Sequence, residues 1–131
     1  METWKVNSKP TSLRIRGKLY SFRSQAEAIY AISLEIRLLS DDILAWHYEP
    51  SLIQFAPTAG RIKAYVPDFL IYHRDGRKEW VEIKGKMDPA SRVKIGKFEK
   101  QVAPITVIRT DSSEFAKLSL IHKPKLKFYQ P

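Results

Sequence analysis

The chain has 131 residues, 44% of them hydrophobic, which is enough for one well-buried domain and too little for two. It contains no cysteine, which excludes a disulfide framework and a thiolate metal site. No stretch resembles a signal peptide or reaches membrane-spanning length, so a soluble, intracellular (cytoplasmic) protein with no membrane partner is expected. Lysine and arginine number 23 against 14 aspartate and glutamate, a formal charge of +9 that suits a polyanionic partner such as nucleic acid and also plain solubility.

Residues 1–20 mix Lys5, Lys9, Arg14, Arg16 and Lys18 with few large apolar side chains, and predict a basic N-terminal arm that a partner orders or that stays solvated. Ser24-Gln25-Ala26-Glu27 reads as a capping box opening a helix, with Ile29, Ile32, Ile36 and Leu39 on one stripe and Tyr30, Leu34 and Leu38 on a second. A helix apolar over most of its circumference needs cover on two sides, so this one is expected to pack on a sheet and on a second subunit. Residues 43–55 predict a strand broken at Pro50, residues 61–66 another, and the two apolar runs around Asp75-Gly76 a hairpin. A helix is predicted from Pro89 to Val102, with Val93, Ile95, Phe98 and Val102 facing in and Lys94, Lys97 and Lys100 facing out. Ile105–Arg109 predicts a short buried strand, Ser112–Lys117 a helical turn, and Leu118–His122 a last strand. A basic tail, residues 123–131, follows with Lys123, Lys125 and Lys127. The domain is thus expected at 21–122, in αβββαβ order, as an α/β (α+β) fold with a mixed central sheet flanked by helices.

Within the hairpin, Asp68 and Glu82 stand at the inner ends of apolar runs, where a bare carboxylate is costly without a counter-charge. Each has an ordinary reading. Glu27 fits as the third-position partner of its capping box, Asp68 as a turn cap after proline, and Glu82 and Lys84 as solvent-facing members of an alternating strand. Taken together, Pro67-Asp68 on one strand and Glu82-Ile83-Lys84 on the next form the pattern of the PD-(D/E)xK nucleases. Phe22-Arg23-Ser24-Gln25-Ala26-Glu27, Pro67-Asp68-Phe69-Leu70 and Val81-Glu82-Ile83-Lys84-Gly85 further resemble, in the same order, three segments of the endonuclease I group of phage Holliday junction-resolving enzymes. The resemblance spans roughly Phe22 to Arg109; Ile83 stands where threonine is usual, and the hairpin is a few residues longer.

That resemblance implies a restriction-endonuclease-like core and a homodimeric, Mg²⁺-dependent (or Mn²⁺-dependent) endodeoxyribonuclease that cuts branched DNA, four-way junctions first, with no small-molecule cofactor. If the chain is of phage origin, the setting is the infected host cell. It implies Glu27, Asp68, Glu82 and Lys84 as catalytic residues, with Glu27, Asp68, Glu82 and the main-chain carbonyl of Ile83 as metal ligands. The chemistry is consistent, because attack on a shielded phosphodiester needs positive charge and a deprotonated water together, and hard cations take oxygen ligands. Arg14, Arg16, Lys18, Arg23, Lys86, Lys94 and Lys97 are the candidate DNA contacts. His47, His73 and His122 lack partners at metal spacing and read as structural; Trp46, Tyr48 and Trp80 read as core or interface aromatics. Two alternatives stay open: another nuclease on the same core (flap, nick-directed, restriction- or transposon-type), and a non-catalytic DNA-binding module.

The hairpin register carries a geometric expectation. A two-residue loop at Asp75-Gly76 sets Asp68 across from Ile83 and turns Glu82 to the opposite face. A three-residue loop, Arg74-Asp75-Gly76, with Gly76 in the left-handed region, sets Asp68 opposite Glu82 on one face. The site requires the second.

Overall fold

The structure, a computed structural model, describes residues 8–56 and 62–131. Thr11–Ile15 (β1) and Lys18–Phe22 (β2) form an antiparallel hairpin whose turn residues Arg16 and Gly17 both have positive φ, 50° and 78°, as a type I′ turn demands. Leu13, Ile15 and Phe22 are buried in the main core. The expected arm is therefore a packed hairpin from Thr11 onward; Lys5 lies outside the described residues.

Ser24 caps the first helix, α1 (Gln25–Leu39), by accepting from the Glu27 N–H at 3.1 Å. Every residue from Ala26 to Glu35 is buried. Cover on the sheet side includes Phe69, whose ring meets Tyr30 edge-on at 5.1 Å, and further cover comes from β1, β2 and the C-terminal helices. The expectation that a second subunit supplies the second cover is corrected: the same chain does it. Leu39, expected inward, is exposed at the helix end.

The central sheet has the order β3 (Ile43–Tyr48), β6 (Phe69–His73), β7 (Lys78–Lys84), β8 (Ile105–Arg109), with β7 and β8 parallel and the other pairs antiparallel. Between β3 and β6, Ile53–Gln54 (β4) and Ala64–Tyr65 (β5) form a separate short pair; Arg61 of the expected strand lies outside the described residues. The parallel step from β7 to β8 needs a crossover, which is α2 (Pro89–Gln101), capped by Asp88 accepting from the Ser91 N–H at 2.7 Å. Ile95 and Phe98 pack with Phe55, Tyr65, Ile105 and Trp80 in a second core, whereas Val93 and Val102, expected inward, are exposed.

From Ser112, which caps Phe115, helix α3 runs Ser113–His122 and passes into a 3-10 helix, Lys123–Tyr129. The expected strand at 118–122 is thus helical and the expected tail is docked. Phe115, His122 and Leu126 are buried at helical spacing, and this stripe outweighs the strand-like run Leu118–Ile121. The architecture is mixed α/β, with a mixed central sheet and three α-helices among the described residues. None of these is long and apolar enough to cross a membrane.

The β6–β7 register pairs Phe69 with Val81, Leu70 with Trp80 and Tyr72 with Lys78. The His73 N–H donates to the Arg77 carbonyl at 2.9 Å, closing the three-residue loop Arg74-Asp75-Gly76, and Gly76 has φ 89°. This is the register that the site requires, and continued by one residue it sets Asp68 opposite Glu82.

Candidate active site

Alternation along the strands sends Phe69, Ile71, Val81 and Ile83 into the core beneath α1. The same alternation turns Asp68, Glu82 and Lys84 to the other face, at the end of the sheet nearest the start of α1. Glu27, in the first turn of α1, joins them in a cleft of about 490 Å³ that Arg23, Tyr65 and Lys94 also line. The four expected catalytic residues are therefore neighbours, although they come from three separate elements of the chain.

Three of the four are acids, all buried: Glu27 at 7% exposure, Asp68 at 1% and Glu82 at 4%. Each is held by partners of the protein's own. Glu27 accepts from the Tyr48 hydroxyl at 2.5 Å and from the Arg23 N–H at 3.2 Å, so its carboxylate turns away from the Ser24 N–H of an ordinary capping box and toward the cleft. Asp68 accepts from the Ile83 N–H at 2.8 Å on one oxygen and from Arg23 Nη2 at 3.0 Å on the other. Glu82 accepts from the Tyr65 hydroxyl at 2.5 Å, and Lys84 Nζ lies 3.9 Å from its second oxygen.

Burial, and then the nearby charges of Glu82 and Glu27, push the Asp68 carboxyl well above the usual carboxylate range against the pull of Ile83 and Arg23. Burial also raises Glu27, with Tyr48 and Arg23 opposing. The Tyr48 and Tyr65 hydroxyls are raised by burial and by the carboxylates they bond, so both act as donors at neutral pH. Among the described residues no group of three His, Cys, Asp or Glu is arranged, as it stands, to hold a metal ion. Each of the three carboxylates is turned onto a protein donor. Glu27, Asp68 and Glu82 nonetheless make an all-oxygen anionic donor set of the kind that hard divalent cations take.

Of the expected DNA contacts, Arg23 and Lys94 border the cleft, Lys94 with its ammonium 5.2 Å from the centre of the Tyr65 ring. Lys86 borders a smaller adjoining cleft of about 230 Å³ that shares Glu27, Ile83 and Lys84. The hairpin residues are elsewhere employed. Arg16 ion-pairs with buried Glu35 at 2.9 Å, Arg14 donates to the Gly17 carbonyl at 3.3 Å, and Lys18 lies over the Tyr20 ring at 4.8 Å. Lys97 donates to the Ile62 carbonyl at 2.7 Å, which ties α2 to the segment before β5. Arg14, Arg16, Lys18 and Lys97 thus have partners within the fold and border neither of these two clefts.

Tyr48, Glu49 and Tyr65 belong to the site and escape a reading of the sequence. Tyr48 reads as an ordinary core aromatic, and nothing in Ala64-Tyr65-Val66 marks a hydroxyl that reaches Glu82, because that contact joins two elements 17 positions apart. Glu49 Oε2 takes the Nε of Arg23 at 3.1 Å. His73 bonds Glu79 at 2.8 Å and His47 packs against Tyr72, and neither lines the cleft of Glu27, Asp68 and Glu82.

Residues 7–117 match a family described as "Protein of unknown function (DUF1064)", and the chain belongs to that family. No curated protein matches the sequence.

Proposed function

We propose that this protein is a metal-dependent endodeoxyribonuclease of the PD-(D/E)xK type, acting on branched DNA. One observation carries the reading: Asp68, Glu82 and Lys84 form a row on one sheet face, and Glu27 meets them in a cleft edged by lysines. The element order α1, β3, β6, β7, α2, β8, with the small strands set aside, supports the restriction-endonuclease-like core expected from the resemblance. Four-way junctions, as the preferred substrate, rest on the three segments that resemble the junction-resolving group.

Asp68, Glu82 and the Ile83 carbonyl would hold Mg²⁺ or Mn²⁺, with Glu27 holding a second ion or its water. When bound, the ion supplies positive charge to phosphate oxygens and lowers the pKa of an attacking water. Lys84, two residues beyond Glu82 on the same face, steadies that water or the charge growing on phosphorus. Tyr65 and Tyr48 aim the carboxylates of Glu82 and Glu27 by hydrogen bonds that also limit their rotation. Lys94 and Lys86 take the flanking phosphates. Opposed cuts across a junction need two such chains, and with α1 covered by its own chain the contact between copies must use another surface.

Incubation of a labelled four-way junction and its matching linear duplex, with Mg²⁺ or with EDTA, tests the reading. Cleavage of the junction in Mg²⁺ alone, lost in Asp68→Asn while binding persists, supports it. Equal cutting of the duplex points to another nuclease on the same core. A second reading has one observation in its favour: every acid already has a protein partner, as a purely structural cluster in a DNA-binding module would. Absence of any nicking of supercoiled plasmid in Mg²⁺ would select it.

A further inference from the structure

Arg23 sits between the end of β2 and the cap of α1, and its two halves behave differently. The main chain is pinned, its N–H lying 3.2 Å from Glu27 Oε1 and 3.3 Å from the Tyr48 hydroxyl oxygen. The guanidinium bridges Asp68 Oδ1 at 3.0 Å and Glu49 Oε2 at 3.1 Å, with the side chain 61% exposed over an Asp68 side chain that is 2% exposed. Asp68 therefore has one fixed partner, the Ile83 N–H on Oδ2, and one partner that closes the cleft from the solvent side on Oδ1. A divalent cation bound by Asp68 through Oδ1 needs the place that the guanidinium fills, and two cations do not share it.

We infer that Arg23 is an exchangeable counter-ion: it holds the cation's place on Asp68 in the ligand-free protein, and transfers to a backbone phosphate when ion and DNA bind. The inference rests on the nuclease reading. The side chain suits the exchange, since a guanidinium offers a planar fork of donors that matches a carboxylate or a phosphate equally well. Glu49, itself partly exposed, shares the guanidinium in the first state and is released in the second. Because one residue serves both ligands, ion and DNA must each raise the affinity for the other.

Calorimetric titration of the full chain with Mg²⁺, without DNA and therefore without turnover, reads the first half of the exchange. Arg23→Ala should bind Mg²⁺ about tenfold more tightly than the parent, with Arg23→Lys between them and Asp68→Asn much weaker than either. Ca²⁺ titration of the same proteins bound to a junction reads the second half, and there the advantage of Arg23→Ala should vanish, since the parent's arginine has already left Asp68. Equal or weaker Mg²⁺ binding by Arg23→Ala overturns the exchange and leaves the nuclease reading standing. An advantage that persists on DNA reduces Arg23 to a nearby charge and also overturns it. If neither the parent nor Arg23→Ala binds Mg²⁺ at millimolar concentration, and neither binds Ca²⁺ on the junction, the nuclease reading falls, and the exchange with it.

Discussion

Asp68 holds a carboxylate in a nearly closed site beside two other acids, and its stability cost follows from that placement. A carboxyl whose pKa is raised by folding contributes stability that is complete below its unfolded pKa and is lost as pH climbs through the folded one. In the absence of divalent ions the melting temperature should therefore fall as pH rises above about 4, the unfolded value, and Asp68→Asn should flatten that fall. Asp42, Asp75 and Asp88 are lowered by bonds to Arg37, the Arg77 N–H and the Ser91 N–H respectively, so they act in the opposite sense, on the acid side of that window. A melting curve series insensitive to Asp68→Asn would contradict the raised carboxyl. Arg16 is a different case. Its guanidinium and the Trp46 indole N–H satisfy Glu35, which is buried at 1% exposure, so Arg16→Ala should cost about 2 kcal/mol, below the cost of breaking a wholly buried pair because Arg16 is half exposed. Chemical denaturation measures it, and DNA affinity in the same variant should be unchanged.

At the scale of elements, the β6–β7 hairpin decides whether a site exists. Gly76 has φ 89°, and a Cβ there would meet nothing within 4 Å, so the penalty for a side chain is purely one of backbone conformation. Gly76→Ala should lower stability by about 1–2 kcal/mol with the denaturant slope unchanged, because the folded and unfolded surfaces stay the same. A negligible loss would place Gly76 outside the left-handed region. Helix α1 binds the site to the rest of the fold, since Ser24 orders its first turn and with it Glu27. Ser24→Ala should cost about 1 kcal/mol in stability and also loosen Glu27 within the cleft. Reduced metal affinity in this variant, beside a fold otherwise intact by circular dichroism, is the expected sign.

For the whole molecule, the charge of +9 is spread unevenly with respect to the cleft. Lys84, Lys86 and Lys94 lie beside it, whereas Arg14 bonds within the β1–β2 hairpin and Arg16 pairs with Glu35 of α1. DNA affinity should fall linearly with salt on logarithmic axes, and Lys86→Ala with Lys94→Ala should reduce the slope by about 2, one for each phosphate that the double variant no longer neutralises. Arg14→Ala should leave the slope unchanged. The reverse pattern, measured by titration at several salt concentrations, would move the DNA-binding face from the cleft to the hairpin.

Local chemistry was sufficient for much of this. The Ser24 cap and the apolar spacing after it predict α1, and the period of two along β6 and β7, with glycine at position 76, sets the register that aligns Asp68, Glu82 and Lys84, because turn geometry and side-chain alternation act over a few residues. The β1–β2 hairpin was not legible, since Leu13 and Ile15 are its buried residues in β1 and arginine, not asparagine, opens its turn. The C-terminal helix was obscured by the short apolar run Leu118 to Ile121, whose helical setting shows only when Phe115 and Leu126 are seen to share a core. Tyr48 on Glu27, Tyr65 on Glu82, and Arg23 on both Asp68 and Glu49 are decided by the tertiary structure alone. Such pairings depend on which distant backbones the core brings within hydrogen-bonding reach, and a residue's neighbours in the chain carry no record of that distance.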